Sequence, residues 1–120
     1  MGKTISKAIW LSFDLGIGGD YPGLYKWLDN HKAIECCDSV AFFNYDIDSS
    51  LEKDIVDIVK NDVLKNVTLR AGDRIYMIRR EVKGSSCSVR GCFIAGKRKS
   101  SPWKGYGDED EDMATSESGE

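Results

Sequence analysis

The sequence lacks any apolar run long enough to cross a bilayer, and it contains a single histidine. A membrane span needs roughly 20 consecutive apolar residues, whereas the apolar run nearest the N-terminus covers only residues 8–13. A signal peptide would need a longer apolar region followed by a small-residue cleavage site, and neither follows the polar start of the chain. We therefore expect a cytoplasmic protein with no membrane partner.

The few cysteines do not have the spacing of a zinc site. Cys36 and Cys37 are adjacent, and Cys87 and Cys92 are separated by four residues, whereas structural zinc sites use pairs spaced like Cys-x-x-Cys. A chain of 120 residues also buries a core without disulfide staples. These residues are expected to be reduced, mostly structural thiols.

Motifs for nucleophilic catalysis and for phosphate-loop binding are missing too. The only histidine, His31, falls on the apolar stripe of a predicted helix, and the sequence places no serine or cysteine beside it. Gly16, Gly18 and Gly19 follow a predicted strand, but they match neither the dinucleotide-binding fingerprint nor the P-loop. We expect a partly buried structural histidine and a flexible turn.

The apolar segments that are present predict a single α/β domain over residues 1–99. A first helix is expected after an N-cap at Asp20, and a second after a capping box formed by Ser49 and Glu52. The first strand is almost continuously apolar, which predicts burial on both faces and places Trp10 in the core. Four strands are predicted, at residues 8–13, 40–45, 74–80 and 88–97.

The element order β-α-β-α-β-β favours a small mixed four-stranded sheet with the two helices packed on it. Strand–helix–strand units are typically parallel with right-handed crossovers, and the last two strands are expected to form an antiparallel hairpin. The alternative is a ferredoxin-like α+β sandwich, which needs the order β-α-β-β-α-β.

The composition changes after Lys99. Residues 100–107 form a short Gly-, Pro- and Ser-rich linker segment that carries Trp103 and Tyr106. Residues 108–120 contain seven acidic residues and no basic one, so they cannot bury enough apolar surface to offset their ordering entropy. We predict that these last residues form a disordered acidic tail.

Charge is distributed unevenly along the chain. Residues 1–69 contain seven basic and eleven acidic residues, whereas residues 70–107 contain ten basic residues and only two acidic ones. A segment this basic is a candidate surface for a polyanion, and aromatic residues beside it can stack on bases. The predicted nucleic-acid-binding residues are Arg74, Arg79, Arg80, Arg90, Lys97, Arg98, Lys99, Trp103 and Tyr106.

Other interpretations of the C-terminal third of the chain stay open. Charges on an edge hairpin also solvate it and discourage strand-to-strand aggregation. The acidic tail, tethered nearby at high effective concentration, either competes with nucleic acid or only keeps the chain in solution. The last strand's edge and Pro102-Trp103 can instead dock on a protein partner or on a second copy of the chain.

Two carboxylates stand at the ends of the most apolar strands, Asp14 and Asp46. If these strands are parallel neighbours, the carboxylates meet at the carboxyl edge of the sheet, where ligands collect. Paired carboxylates suit Mg²⁺, which makes magnesium the one possible cofactor. Aspartate is also common wherever strands turn into loops.

Residues 10–16, an apolar strand that ends in an aromatic residue and Asp14, resemble the start of the small CRISPR-associated endonucleases and related toxin-like nucleases. This resemblance implies a ferredoxin-like fold and a metal-binding role for Asp14. It covers only these few residues.

Taken together, the sequence favours a small non-enzymatic protein that binds nucleic acid or another polyanion. The basic C-terminal hairpin would carry the binding, and the acidic tail would modulate it. The first alternative is a protein-interaction or homodimerisation module. The second is a magnesium-dependent nuclease that uses Asp14 and Asp46 as metal ligands.

Overall fold

A computed structural model describes residues 3–108 of the chain. Over these residues it forms a mixed α/β domain with a five-stranded sheet and two α-helices. The elements are β1 (Thr4–Asp14), α1 (Tyr21–Asn30), β2 (Ile34–Cys37), β3 (Val40–Asp48), a 3₁₀ turn (Ser49–Asp54), α2 (Ile55–Asn66), β4 (Arg74–Lys83) and β5 (Ser86–Ala95). No helix in this described range is long and apolar enough to span a membrane.

The sheet has the strand order β2-β3-β1-β4-β5, and every neighbouring pair is antiparallel. The predicted four strands and parallel neighbours are therefore wrong. Each strand–helix–strand unit does join two strands of the same direction, but the crossover skips one position: β3 lies between β1 and β2, and β1 lies between β3 and β4. The first six regular strands and helices follow the order β-α-β-β-α-β, which the ferredoxin-like alternative requires.

The strand that the sequence did not predict is β2, at one edge of the sheet. All four of its residues are exposed, so it shows neither the alternation nor the apolar run by which strands are recognised. Lys32 and Ser39, on either side of it, have positive φ angles of 58° and 67°. These two reversals turn a short exposed segment back along β3.

Both helices pack on one face of the sheet and form the core with it. The N-terminus of α1 is as predicted, because the Asp20 carboxylate accepts a hydrogen bond from the backbone N–H of Gly23. The predicted capping box before α2 is wrong: Asp48 caps the 3₁₀ turn by accepting from Ser50, and α2 begins only at Ile55. The helical residues buried against the sheet are Leu24, Trp27, Leu28, Ile55, Val59 and Val63.

A hydrogen-bonded cluster joins the two helices to β3. The Tyr45 hydroxyl donates to the Asp62 carboxylate over 2.7 Å, and the His31 Nε2 lies 3.6 Å from the same oxygen. Burial raises the pKa of the Tyr45 phenol, and its hydrogen bond to the Asp62 carboxylate raises it further. His31 also stacks on the Tyr45 ring, which confirms the prediction of a partly buried structural histidine.

A second cluster ties the loop after β1 to the loop before β4. The buried Asp73 carboxylate accepts backbone hydrogen bonds from Gly16 and Arg70, each 2.9 Å long. These N–H donors, together with the charge of Arg70, lower the pKa of Asp73. The carboxylate of Asp73 thus fixes the glycine turn after β1 to the loop before β4.

Candidate nucleic-acid interface

One face of the sheet has no helix packed on it among residues 3–108. Successive side chains of a strand point to opposite faces, and along β1 the buried Ile9, Leu11 and Phe13 alternate with half-buried residues such as Trp10. We call this uncovered side the open face. The prediction that Trp10 belongs to the core and that β1 is buried on both faces is therefore wrong, because both helices lie on the same side.

The centre of the open face is aromatic. Trp10 pairs directly with Phe42 of β3 and with Ile78 of β4, and the Trp10 and Phe42 rings lie 4.9 Å apart. One strand further on, Tyr76 of β4 and Phe93 of β5 pair across the ladder with their rings 4.8 Å apart. Two pairs of rings thus share one surface that helices leave uncovered.

The second ring pair forms the floor of a shallow depression of about 390 Å³. Gly91 makes room for it, because a Cβ at this position would collide with the Tyr76 ring. The chain then turns at Gly96, which has a positive φ of 76°. A side chain at this position would also collide with the Asp73 carbonyl oxygen. This turn carries the following residues back over the open face.

Two arginines border the depression. The Arg98 guanidinium lies 5.8 Å from the Tyr76 ring centroid and 5.5 Å from that of Phe93, within the range of a cation–π contact. Arg74 donates to the Asp14 carboxylate over 3.1 Å, while its buried Nε has no hydrogen-bond partner in the described part of the chain. Cationic donors therefore stand beside flat apolar rings.

The nine residues predicted to bind nucleic acid do not share one surface. Arg74 and Arg80 alternate onto the open face, where Arg98 joins them. Arg79 and Arg90, paired directly across β4 and β5, lie on the helix-bearing face, and Arg90 is bound to Glu81 over 3.1 Å. Strand alternation therefore divides a cluster that is continuous in sequence.

The remaining predicted residues lie beyond β5. Lys97 and Lys99 are exposed on the segment that leaves the strand. Trp103 and Tyr106 are 72% and 85% exposed in a turn closed by a hydrogen bond between their backbones. Of the predicted acidic tail, only Asp108 falls within the described residues, and residues 109–120 lie outside them.

The structure does not bring Asp14 and Asp46 together. Asp46 pairs with Ser6 near the start of β1, whereas Asp14 ends the same strand and is bound to Arg74. Eight residues of extended chain separate the two positions by roughly 27 Å, so one ion cannot contact both. The predicted juxtaposition is wrong because β1 and β3 are antiparallel. No group of three or more metal-ligating side chains occurs in residues 3–108.

The four cysteines are free thiols that lie near the sheet edges. Cys36 and Cys37 are exposed on β2, Cys87 is exposed on β5, and only Cys92 is half-buried. The exposure of three of the four does not fit the prediction of mostly structural thiols; these three lie on the two outermost strands, which have no neighbour on one side.

Sequence reasoning missed the four aromatic residues of the open face, Trp10, Phe42, Tyr76 and Phe93. The sequence carries no clear signal for them, because Ala8 and Trp10, on either side of the buried Ile9, are themselves apolar and only Ser12 is polar. A continuously apolar strand predicts burial on both faces.

Comparison of the chain with protein-family models, with curated proteins and with solved structures gives no match. The geometry of the open face is therefore the basis for assigning a function.

Proposed function

We propose that this protein binds single-stranded nucleic acid on the open face of its sheet. The observation that carries the proposal is the uncovered set of aromatic rings, Trp10 with Phe42 and Tyr76 with Phe93, next to arginine side chains. Bases have flat apolar faces that stack on such rings, and single-stranded RNA is bound in this way by aromatic residues on four-stranded sheets.

The charge of the surrounding residues supports the same ligand. Arg98, Arg74 and Arg80 lie on or beside the open face, and Lys97 and Lys99 continue the basic segment after β5. Guanidinium groups bind phosphate with two parallel hydrogen bonds. If a single-stranded nucleic acid lay across β1 and β4, its bases would stack on the aromatic rings and its phosphates would contact the cations.

Arg98 has a specific part in this proposal. In the free protein its guanidinium lies over Tyr76 and Phe93, which are the rings that a base would use. Since a cation–π contact at an exposed site contributes only about 0.5–1 kcal/mol, a base can displace the guanidinium from the rings. The same side chain is then available for the phosphate next to that base.

The acidic tail is the proposed modulator. Residues 108–120 contain seven acidic residues and are joined directly to the basic segment. Tethering gives them a high effective concentration near the open face, so they would compete with weakly bound, non-specific ligands. Removal of residues 108–120 should therefore strengthen binding.

The test is fluorescence anisotropy with labelled single-stranded and duplex oligonucleotides across a salt series. We expect single-strand binding that weakens with salt, and roughly tenfold weaker binding for Trp10→Ala because one stacking contact is lost. Tyr25→Ala is the matched control, since Tyr25 is an exposed aromatic residue on α1. A chain that ends at Gly107 should bind more tightly than the full chain.

The proposal fails if neither chain binds at low salt. It also fails if Trp10→Ala and Tyr25→Ala bind equally well, because the open face would then make no contribution.

The second candidate function is homodimerisation through the same surface. It is favoured by an apolar row that crosses the open face from the 61%-exposed Ile34 of β2 through Phe42 and Trp10 to Ile78. Two copies can bury such a row face to face. Analytical ultracentrifugation distinguishes the two: a dimer that Trp10→Ala dissociates, together with no nucleic-acid binding, would favour this candidate.

A further inference from the structure

A cleft opens at the end of the sheet where β1 and β4 stop pairing. The β1–β4 ladder ends at the pair Ile9–Arg79. Beyond it β1 stays paired with β3 as far as Thr4, and β4 stays paired with β5 as far as Lys83. The resulting gap, flanked by the 3₁₀ turn before α2, holds a cavity of about 390 Å³, which we call the basal cleft.

The basal cleft has an excess of positive charge. Five basic and two acidic side chains line it, and both acids already hold a cation. Glu52 is bound to Lys7, and Glu81 is bound to Arg90, which lies outside the cleft.

Four cations of the cleft, in contrast, have no carboxylate partner. Across residues 3–108 no ion pair involves Lys53, Arg79, Arg80 or Lys83. Lys53 and Lys83 are exposed at the rim, and Arg79 is half-buried. The cleft therefore combines a concave shape with cations that no acid neutralises.

Arg79 is the most informative of these residues. It lies directly opposite Arg90 on β5, and like charges in directly opposed positions destabilise a sheet. Glu81 neutralises Arg90 but leaves Arg79 unpaired. A cation that lines a cavity without a carboxylate partner departs from the usual pairing of charges, and such departures are expected at functional sites.

We propose that the basal cleft binds a phosphate-bearing anion, held by the Arg79 guanidinium with Lys53 and Lys83 at the rim. Guanidinium groups form forked hydrogen bonds with phosphate oxygens, and lysines add point charges. The volume is at the lower end of the range for small-molecule sites, which suits a diphosphate or a mononucleotide. The bound anion would also neutralise the unpaired charge of Arg79.

Arg79, the central residue of this site, lies on the opposite side of the sheet from the aromatic rings of the open face, although Arg80 borders both surfaces. Strand alternation directs Arg79 to the helix-bearing side, while Tyr76 and Ile78 of the same strand face the other way. The two proposals can therefore fail independently.

Isothermal titration calorimetry of the full chain with inorganic pyrophosphate at low ionic strength tests the site. We expect saturable binding that Arg79→Gln weakens at least tenfold. The charge-matched control is Lys26→Gln, because Lys26 is exposed on α1 and does not line the cleft. A rise in the wild-type melting temperature with pyrophosphate, absent in Arg79→Gln, would support the same conclusion.

If Arg79→Gln does not fold, the double variant Lys53→Gln/Lys83→Gln replaces it, because both lysines are exposed and their loss should weaken binding several-fold. Wild-type protein that shows no saturable binding overturns the proposal. Equal losses in Lys26→Gln and in the cleft variants overturn it as well, since net charge alone would then explain the affinity.

A phosphate group of this kind belongs either to a free nucleotide or to the end of a nucleic-acid strand. Titration with adenosine diphosphate tests the first source. The second is tested by comparing 5′-phosphorylated with 5′-hydroxyl oligonucleotides in the Trp10→Ala background, where the open face is weakened. Either ligand supports the site if its affinity depends on Arg79, and independence of both from Arg79 contradicts it.

Discussion

The indole ring of Trp10 lies 4.9 Å from the ring of Phe42 on the face of the sheet that neither helix covers. The two residues are direct partners in the β1–β3 ladder. Both rings are only half-buried, so they lose part of the stabilisation that full burial would provide.

The fluorescence of Trp10 provides a direct test of the proposed binding. Of the three tryptophans, Trp27 is buried and Trp103 is 72% exposed in the turn after β5. We expect a saturating single-stranded oligonucleotide to quench the fluorescence of the wild-type protein, because a base stacks on the Trp10 indole. The quench should largely disappear in Trp10→Phe and persist in Trp103→Phe.

The opposite pattern would place the ligand elsewhere. A quench that survives in Trp10→Phe but disappears in Trp103→Phe would assign binding to residues 100–107 and contradict the open-face proposal.

The hydrogen bond between Tyr45 and Asp62 predicts a stability effect that depends on alkaline pH. Tyr45→Phe removes this 2.7 Å contact and should lower the free energy of unfolding by about 1 kcal/mol at neutral pH. The pKa of Tyr45 is raised in the folded state by burial and then by Asp62. Its contribution is therefore complete below the unfolded pKa of about 10 and decreases as pH rises above it.

Urea unfolding followed by circular dichroism at neutral pH and at about pH 10.5 checks this prediction. The difference between wild type and Tyr45→Phe should narrow at the higher pH, because only the wild type loses this contribution. Tyr25→Phe is the control, since Tyr25 is 55% exposed. A constant difference across pH would show that the phenol ionises equally in both states.

The buried carboxylate of Asp73 predicts the reverse dependence, on the acid side. Its pKa is lowered by the N–H groups of Gly16 and Arg70, so its contribution is present above the unfolded pKa of about 3.9 and is lost as pH falls through the folded pKa. Asp73→Asn, whose amide has a single acceptor oxygen, leaves one of these donors unpaired. The variant should melt at a lower temperature at neutral pH.

Thermal unfolding from pH 7 down to about pH 3 tests the sign. The gap between wild type and Asp73→Asn should close on the acid side, while the exposed Asp38→Asn control follows the wild type throughout. A gap that stays open in acid would mean that the backbone hydrogen bonds do not depend on the carboxylate charge.

Features set by neighbours in the chain were predictable from the sequence. The cap at Asp20, the buried stripe of α1 and the half-buried His31 follow from helical spacing. The β4–β5 hairpin follows from two strands joined by a short turn.

The strand partners were decided by the tertiary structure. The short β2 shows no pattern, because an exposed edge strand buries nothing. Each crossover skips one strand position, so neighbouring strands are antiparallel rather than parallel as expected. Asp14 and Asp46 therefore lie at opposite ends of the sheet.

The amino-acid sequence by itself determined the helices, most strands and the concentration of basic residues after residue 69, because these depend on local spacing and composition. Only the tertiary structure decided which side of the sheet the helices cover. That choice placed Trp10 and Phe42 on the open face, and it separated Arg79 from Arg74 and Arg98. The physical reason is that alternation along a strand defines two faces, but only packing determines which one is buried.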